Sequence, residues 1–380
     1  MQIIADQNIP FVKECFSSIG DVTLCAGREI TPAAVKDADL LLVRSVTNVN
    51  AQLLDGSKVK FVATATIGTD HIDLDYLQKH GIAFASAPGS NANSVAEYIV
   101  TALLTIAERH HISLADKSLG IVGVGNVGSR VAKKATALDL RVLLNDPPLQ
   151  RQTNDPKYLP LKDLYNCDFI TFHTPLTKTG PDKTYHLADE TLFSSLKPGV
   201  VFLNTSRGGV MDTTALKKAI RSKHISACVL DVWENEPNID TELLAMVDLA
   251  TPHIAGYSYD GKVAGMIMIY EAACNFLKIK PLHTINDFLP PPPIPSIELN
   301  APSDDQQAAI RHLTKRIYDI EADDQRTREI LNTPTYNRGK FFDELRKTYP
   351  IRREFQNTVI SVANAAIAKS LAGIGFSIKS

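Results

Sequence analysis

The sequence has few of the features that mark secreted, membrane-spanning or nucleic-acid-binding proteins. It has only five cysteines in 380 residues, an odd number without metal-ligand spacing: Cys15, Cys25, Cys167, Cys228 and Cys274. We therefore expect no metal site, no disulfide framework and a reducing compartment. The formal net charge of −2 does not indicate a nucleic acid or a membrane surface as a partner.

Long hydrophobic runs are also missing. No apolar stretch reaches the length that a transmembrane helix needs. The opening segment, residues 1–6, has the pattern of a strand and lacks the charged-then-apolar order of a signal peptide. These features predict a cytoplasmic protein.

Short apolar runs alternate with helical patterns in two successive series. The first series has four predicted strands, Ile3–Ala5, Leu40–Val43, Phe61–Ala65 and Ile82–Ala85. The second has six, Leu119–Gly123, Arg141–Asn145, Phe169–His173, Val200–Asn204, Ala227–Asp231 and Asp248–Ala250. This alternation predicts an α/β protein with two doubly wound, Rossmann-like domains of parallel strands.

Helices and a proline-rich connector divide the chain further. A helix is predicted from Ser94 to Arg109, between the two strand series, and another over residues 257–279. The latter has no strand after it, so it could return the chain to the first domain. The prolines of residues 289–295 predict a stiff, extended connector. Beyond it, helices are predicted at 304–321 and 353–372, in a unit that is small for an independent core.

A glycine-rich turn follows the first strand of the second series. Gly123, Gly125 and Gly128 have the GxGxxG spacing between an apolar strand and a helix. This spacing permits a tight turn, close approach of a pyrophosphate and close packing of helix on strand, and Asn126 and Val127 would offer backbone amides to the phosphates. Asp146 ends the next strand, where a carboxylate binds the adenosine ribose and disfavours a 2′-phosphate. The pattern predicts NAD as the cofactor.

Three further segments follow strand ends of the same predicted sheet. They contain Arg207, Glu236 and His253. An arginine can hold a substrate carboxylate through two hydrogen bonds, and a histidine can accept the hydroxyl proton as a hydride leaves the same carbon. A carboxylate on the other ring nitrogen would orient the imidazole. Together they predict oxidation of a 2-hydroxy acid.

These segments resemble the D-isomer-specific 2-hydroxyacid dehydrogenase family. The quoted matches are the glycine turn, His173-Thr174-Pro175-Leu176, Asn204-Thr205-Ser206-Arg207-Gly208-Gly209, Asp231-Val232-Trp233-Glu234-Asn235-Glu236-Pro237 and Thr251-Pro252-His253-Ile254-Ala255-Gly256. The resemblance implies Arg207, Glu236 and His253 as the catalytic set. It also implies NAD contacts from Thr174, Asp231 and Gly256.

The whole chain further resembles members of this family that oxidise a small phosphorylated hydroxy acid. The resemblance rests on residues 3–10, 43–47, 65–71 and 253–258 and on the C-terminal unit. It implies substrate contacts at Ser45, Thr66 and Tyr257, and a homodimer formed through the C-terminal unit. Arg44, Arg338, Arg346 and Arg352 are candidates for binding the phosphate, on the strength of their charge alone.

The expected organisation is therefore of three domains. Residues 1–93 and 257–285 form a flavodoxin-like substrate-binding domain, 94–256 a Rossmann domain for NAD, and 286–380 a small α+β dimerisation domain. Two alternatives stay open at this stage: 3-phosphoglycerate or another 2-hydroxy acid as the substrate, and an NADH-sensing binding protein on the same fold.

Overall fold

The computed structural model describes residues 1–299 and 305–379, which form two compact units. One unit combines Met1–Asn91 with Ser258–Pro291, and the other combines Ala92–Tyr257 with Pro292–Ser380. None of the helices in the described ranges has the length and apolar character that crossing a membrane requires.

The first unit is built on a five-stranded parallel sheet in the order β2-β1-β3-β4-β5. Its strands are β1 (Gln2–Asp6), β2 (Asp21–Cys25), β3 (Leu40–Val43), β4 (Phe61–Thr64) and β5 (Ala83–Ala85). The helices between them are α1 (Val12–Phe16), α2 (Pro32–Val35), α3 (Ala51–Leu54) and α4 (Leu74–Lys79). β2 was not predicted from the sequence; it lies at the sheet edge and is largely exposed. An edge strand lacks the continuous apolar run of a strand buried on both faces.

The second unit begins with a helix and a six-stranded parallel sheet in the order β11-β10-β9-β8-β6-β7. Its strands are β6 (Ser118–Val122), β7 (Arg141–Asn145), β8 (Phe169–Phe172), β9 (Val200–Asn204), β10 (Ile225–Leu230) and β11 (Leu249–Ala250). The helices that precede β11 in this unit are α5 (Ala92–Arg109), α6 (Asn126–Thr136), α7 (Pro147–Thr153), α8 (Glu190–Ser195), α9 (Thr213–Arg221) and α10 (Thr241–Met246). The six predicted strands are confirmed within one or two residues at each end.

A single parallel bridge between Leu144 and Tyr158 extends this sheet beyond β7. Counted as a third strand, Tyr158 gives the order 3-2-1-4-5-6 of dinucleotide-binding sheets, with the reversal of strand order next to β6. The order in the first unit is the flavodoxin-like 2-1-3-4-5. The predicted fold class is therefore confirmed.

After β11 the chain returns to the first unit through α11 (Tyr259–Leu277). Val263, Met266 and Ile269 are buried on this helix and pack in the core that contains Phe61 of β4. The apolar side of this helix therefore completes the first core.

The C-terminal segment packs on the second unit. It contains β12 (Ser296–Leu299), α12 (Gln306–Ile317), α13 (Ile320–Arg328), α14 (Arg338–Lys347), β13 (Val359–Val362), α15 (Ala365–Ile374) and β14 (Ser377–Ile378). The strands form a parallel sheet in the order β12-β13-β14. Ile310, Leu313 and Leu371 belong to the same apolar core as residues of α5 and β6.

One helix prediction in this segment is wrong over its first half. The helix predicted at 353–372 begins only at Ala365, because Val359–Val362 is a strand that pairs with Ser296–Leu299. The β-branched residues of this strand favour the extended conformation once a partner strand is available. The helix predicted from 304 is observed from Gln306, and residue 304 itself lies outside the described ranges.

Candidate active site

The glycine turn after β6 has the backbone geometry that only glycine accommodates. Gly123 has a φ of +88°, in the region that L-residues with a side chain rarely adopt. A Cβ on Gly128 would lie 2.0 Å from the carbonyl oxygen of Gly123, whereas a Cβ on Gly125 would project into empty space. The turn therefore leaves an open cradle in front of Gly125, at the N-terminus of α6, where a pyrophosphate can approach free amides.

Asp146 connects this turn to the next strand. One carboxylate oxygen accepts from the Val124 amide at 2.8 Å, and the other accepts from the Leu149 amide at 3.0 Å and caps α7. These bonds fix the carboxylate at the carboxyl end of β7, beside the glycines. Each oxygen has a further lone pair that can accept from a ribose hydroxyl.

A cavity of about 770 Å³ lies next to the turn. It is lined by Gly123, Gly125, Asp146 and Thr174 and by apolar side chains that include Tyr158. Its size is in the range of small-molecule sites. The Thr174 hydroxyl is buried and has no hydrogen-bond partner among the described residues, so a polar group of a ligand would satisfy it. The empty cradle and this hydroxyl fit a bound NAD.

His173 also lines the cavity, and it is a neutral residue there. Burial lowers the pKa of His173 to about 3. Its ring nitrogens lie 3.1 Å from the hydroxyls of Thr171 and Thr205. The imidazole therefore adds no charge near the phosphates and supports the loop that leads to Arg207.

The Arg207 loop and the Glu236 loop touch each other. Arg207 follows β9 and donates to the Ser206 carbonyl at 2.8 Å. A Cβ on Gly208 would lie 1.9 Å from the carbonyl oxygen of Trp233, so the two loops approach at backbone distance. Glycine at this position is what allows Arg207 to lie next to the loop that carries Glu236.

Glu236 and His253 form a hydrogen-bonded carboxylate–imidazole pair. The Nδ1 atom of His253 lies 2.7 Å from one carboxylate oxygen of Glu236, and the other oxygen accepts from the Trp233 amide at 2.9 Å. Burial would raise the pKa of Glu236, but the interaction with His253 and these hydrogen bonds outweigh it and lower the pKa. Glu236 is therefore ionised, and the Nε2 atom of His253 is the ring nitrogen left for a substrate.

A buried network fixes the backbone at His253, whose φ of +58° is unusual for a residue with a side chain. The Asp231 carboxylate accepts from the Thr251 hydroxyl at 2.6 Å and from the amides of Ile254 and Ala255 at 2.7 and 3.0 Å. Tyr98 lies 2.8 Å from the Thr251 hydroxyl. Burial raises the pKa of Asp231 against these bonds and the charge of His253. In the structure Asp231 holds the turn that presents His253.

A second carboxylate–imidazole pair lies on the same loop. His186 Nε2 and Glu234 are 2.8 Å apart, and Glu234 also accepts from the Thr213 amide at 2.9 Å. The carboxylate–imidazole distance alone does not distinguish this pair from the Glu236–His253 pair. The two pairs differ at the second ring nitrogen, because His186 Nδ1 lies 3.7 Å from Asp212. They also differ in position, since His253 follows β11 at the carboxyl edge of the sheet.

The predicted substrate residues fall in different units. Ser45 and Thr66 follow β3 and β4 of the first unit, where Ser45 is exposed and the Thr66 hydroxyl lies 2.7 Å from that of Thr64. Gly256 and Tyr257 belong to the second unit, as do the catalytic set and the glycine turn. The structure therefore brings Arg207, Glu236, His253 and Tyr257 into one unit.

The contacts of the C-terminal segment with the His253 loop were not predicted from the sequence. Arg352 donates to the Ala255 carbonyl at 2.6 Å. The guanidinium of Arg346 lies 5.8 Å from the centre of the Tyr257 ring, and the Tyr349 ring packs edge-on against Tyr257 at 5.8 Å. These contacts join positions about 90 residues apart along the chain, so no local pattern could have indicated them. Trp233, which donates its indole N–H to the Thr251 carbonyl at 3.0 Å, had a signal, since it is the only tryptophan in the sequence.

Comparisons with known proteins identify the family. Residues 99–255 match the NAD-binding domain of the D-isomer specific 2-hydroxyacid dehydrogenases, and residues 288–375 match a domain of unknown function, DUF3410. The chain is 44% identical over 377 residues to the erythronate-4-phosphate dehydrogenase of Edwardsiella ictaluri, covering 99% of both chains. It is equally similar to the erythronate-4-phosphate dehydrogenase of Escherichia coli O9:H4, covering 99% of this chain and 98% of that one.

Solved structures of related enzymes share the fold over three quarters of the chain. NAD⁺-bound 3-phosphoglycerate dehydrogenase of Entamoeba histolytica has a TM-score of 0.62 at 25% identity, covering 73% of this chain and 95% of its own. D-lactate dehydrogenase of Aquifex aeolicus, complexed with NAD and lactic acid, has a TM-score of 0.59 at 27% identity, covering 73% and 96%. About a quarter of this chain therefore has no counterpart in either structure.

Proposed function

The chain belongs to the erythronate-4-phosphate dehydrogenases within the D-isomer-specific 2-hydroxyacid dehydrogenase family, and from this membership we propose that it oxidises 4-phospho-D-erythronate. The product is (R)-3-hydroxy-2-oxo-4-phosphooxybutanoate. This oxidation is a step of pyridoxal 5′-phosphate (vitamin B6) biosynthesis. The observation that carries the proposal is the 2.7 Å pair of His253 with Glu236, whose loop contacts the Arg207 loop through Gly208 and Trp233. This arrangement is in the same unit as the cofactor cradle.

Each residue of the catalytic set has one task in this reaction. Arg207 holds the substrate carboxylate and so orients the carbon next to it, C2. The Nε2 atom of His253 takes the proton of the C2 hydroxyl as the C2–H bond breaks and the carbonyl forms. Glu236 stabilises the positive charge that His253 gains. NAD, when bound, accepts the hydrogen of C2 as a hydride, which carries both electrons of the C2–H bond.

Cofactor binding is assigned to two groups of residues. The backbone of Gly123, Gly125, Asn126, Val127 and Gly128 receives the pyrophosphate, and Asp146 receives the adenosine ribose. Thr174, Asp231 and Gly256 complete the set. The unpartnered Thr174 hydroxyl supports its place there, whereas the Asp231 carboxylate acts through the backbone of the His253 turn.

Substrate binding is assigned to Ser45, Thr66 and Tyr257. Of these, Tyr257 follows His253 by four residues, and Ser45 and Thr66 follow strands of the first unit. We assign substrate binding to residues 1–93 with 257–285, NAD binding to 94–256 and dimerisation to 286–380.

The acid–base assignment is tested by His253→Ala, with His186→Ala as its matched control because His186 also pairs with a glutamate of this loop. His253→Ala is expected to bind NADH as the wild type does and to lose at least about 100-fold in kcat. His186→Ala keeps its activity. Wild-type turnover by His253→Ala would remove His253 from the mechanism, and loss of activity in His186→Ala alone would transfer the role to the other pair.

The protein is further proposed to be a cytoplasmic homodimer. Large apolar side chains of the C-terminal segment are exposed, among them Tyr336 at 84% and Ile351 at 59%, and a partner subunit would cover them. The five free thiols are compatible with a reducing cytoplasm. Light scattering is expected to give twice the chain mass of 41.6 kDa. A mass that stays at one chain over the micromolar range would contradict the dimer.

A further inference from the structure

The substrate carries a phosphate in addition to its carboxylate, and the catalytic set provides one arginine for the carboxylate only. Three arginines of the C-terminal segment are candidates for binding the phosphate, and their environments in the structure differ. Arg338 donates to the Thr333 carbonyl at 3.0 Å and to the Thr241 hydroxyl at 3.3 Å. It is therefore occupied within the protein and has no contact with the His253 loop.

Arg352 is buried and hydrogen-bonded at one nitrogen. It donates to the Ala255 carbonyl at 2.6 Å, and its guanidinium lies 4.2 Å from the centre of the Tyr318 ring. Its Nη1 atom has no hydrogen-bond partner among the described residues, but only 6% of the residue is exposed. Arg352 therefore supports the backbone of the His253 loop, and its burial leaves little access for a ligand.

Arg346 has a different environment. Its side chain is only 19% exposed, and its Nε atom has no hydrogen-bond partner among the described residues. Its guanidinium lies 5.8 Å from the centre of the Tyr257 ring, and the nearest ion pair is with Asp343 at 4.0 Å. Arg346 also has a hydrogen bond with the Tyr257 side chain, so the Nε–H group is the part of the guanidinium that an anion would satisfy.

The charges near Arg346 do not supply that anion during catalysis. Burial would lower the pKa of Arg346, but Tyr257 and Glu236 outweigh it and raise the pKa, so the residue is charged. Glu236 is at the same time the partner of His253. When His253 takes the substrate proton, the Glu236–His253 pair becomes neutral as a whole. The other carboxylate near Arg346 is that of Asp343, which lies 4.0 Å away and whose side chain is 37% exposed.

We propose that Arg346 binds the phosphate group of the substrate, beside Tyr257 and the His253 loop. This inference rests on the proposed function and specifies which residue recognises the phosphate. The phosphate is two carbons from the reacting C2 atom, so its receptor must lie close to the His253 loop without occupying it. The forked guanidinium can donate two parallel hydrogen bonds to one phosphate. Arg346 therefore makes the C-terminal segment part of the substrate site.

The test compares two substrates, 4-phosphoerythronate and erythronate, in the variants Arg346→Gln and Arg346→Lys, with Arg338→Gln as the control. Loss of a charged hydrogen bond is expected to lower kcat/KM for 4-phosphoerythronate by about 10- to 150-fold. The loss appears mainly in KM, and the loss with erythronate is at least about tenfold smaller. Arg346→Lys keeps the positive charge but lacks the forked guanidinium, so its kcat/KM for 4-phosphoerythronate is expected to lie between those of the wild type and Arg346→Gln. Arg338→Gln behaves as the wild type.

The outcomes separate this inference from the proposed function. A wild-type enzyme that does not oxidise 4-phosphoerythronate would overturn the proposed function, and this inference with it. A wild-type enzyme that oxidises it, together with equal losses on both substrates in the Arg346 variants, would overturn only the phosphate assignment. The phosphate assignment would also be overturned if Arg346→Gln shifted the pH profile but kept the preference for the phosphorylated substrate. That result would mean that Arg346 acts through Glu236. Thermal unfolding of each variant reports whether it is folded, and Arg346→Lys keeps the test decisive should Arg346→Gln not fold.

Discussion

Replacing Glu236 by Gln should move the pH dependence of the reaction in a direction that its charge dictates. Glu236 is ionised and lies 2.7 Å from His253 Nδ1, with side-chain exposures of 21% and 31% for the two residues. Unit charges about 4 Å apart interact by about 4 kcal/mol at an effective dielectric constant of 20. Partial exposure of both side chains to water reduces this interaction, so we expect the pH profile to move by less than this energy implies.

The sign follows from the role of His253 as a base in the oxidation direction. Removing the carboxylate charge destabilises the imidazolium, so the neutral base persists to lower pH. The acidic limb of kcat/KM should therefore move to lower pH in Glu236→Gln. The amide keeps an oxygen that can accept from the Trp233 amide, which preserves the local loop structure.

The matched control is Glu234→Gln. Glu234 belongs to the same loop and also contacts an imidazole, that of His186, at 2.8 Å. The control should leave the acidic limb of the kcat/KM profile where it is in the wild type. An unmoved limb in Glu236→Gln, or an equal shift in both variants, would refute the reasoning that this pair sets the proton affinity of the base.

Three further predictions concern the cofactor, the catalytic loop and stability. Asp146→Ser, which keeps a helix-capping oxygen, should raise the KM for NAD by about 10- to 100-fold and narrow the preference over NADP; an unchanged ratio of the two KM values would contradict the ribose assignment. Gly208→Ala should lower kcat about 100-fold because its Cβ would meet the Trp233 carbonyl at 1.9 Å. Gly209→Ala is the control and should keep its kcat, because its Cβ would lie 3.4 Å from its nearest neighbour. Equal kcat values for the two variants would argue against contact of the two loops. The pKa of Glu97 is raised by burial and by the nearby Glu354 carboxylate. Lys134, the Phe355 amide and Arg352 oppose this rise without cancelling it. The stability that protonated Glu97 contributes is therefore present at low pH and lost as pH rises, by at most about 1.4 kcal/mol per pH unit, so chemical denaturation from pH 5 to 8 should show a smaller loss for Glu97→Gln than for the wild type.

The sequence predicted most of the sheet in the second unit because its strands are continuous buried runs. β9 and β10, for example, are almost wholly buried and parallel to their neighbours. β2 was not predicted because an edge strand is exposed on several positions and lacks that signal. The strand at Val359–Val362 was predicted as helix because its partner, Ser296–Leu299, lies about 60 residues earlier in the chain.

The candidate site shows the same division between local and distant information. The motifs in the Arg207, Glu236 and His253 segments are local, and they were sufficient to recognise the family. The contacts of Arg346 and Arg352 with the His253 loop depend on how a distant segment packs. The identity of the arginine next to Tyr257 therefore needed the structure.

The most direct test of the central claim is a comparison of substrates in a single turnover. Enzyme saturated with NAD is mixed with 4-phospho-D-erythronate, 3-phosphoglycerate or erythronate, and NADH formation is followed by absorbance, with a 2-oxo acid added in a parallel series to reoxidise cofactor that stays bound. The account predicts the fastest NADH formation with 4-phospho-D-erythronate and its loss in His253→Ala. Faster turnover of 3-phosphoglycerate, or NADH binding without oxidation of any of the three acids, would contradict it.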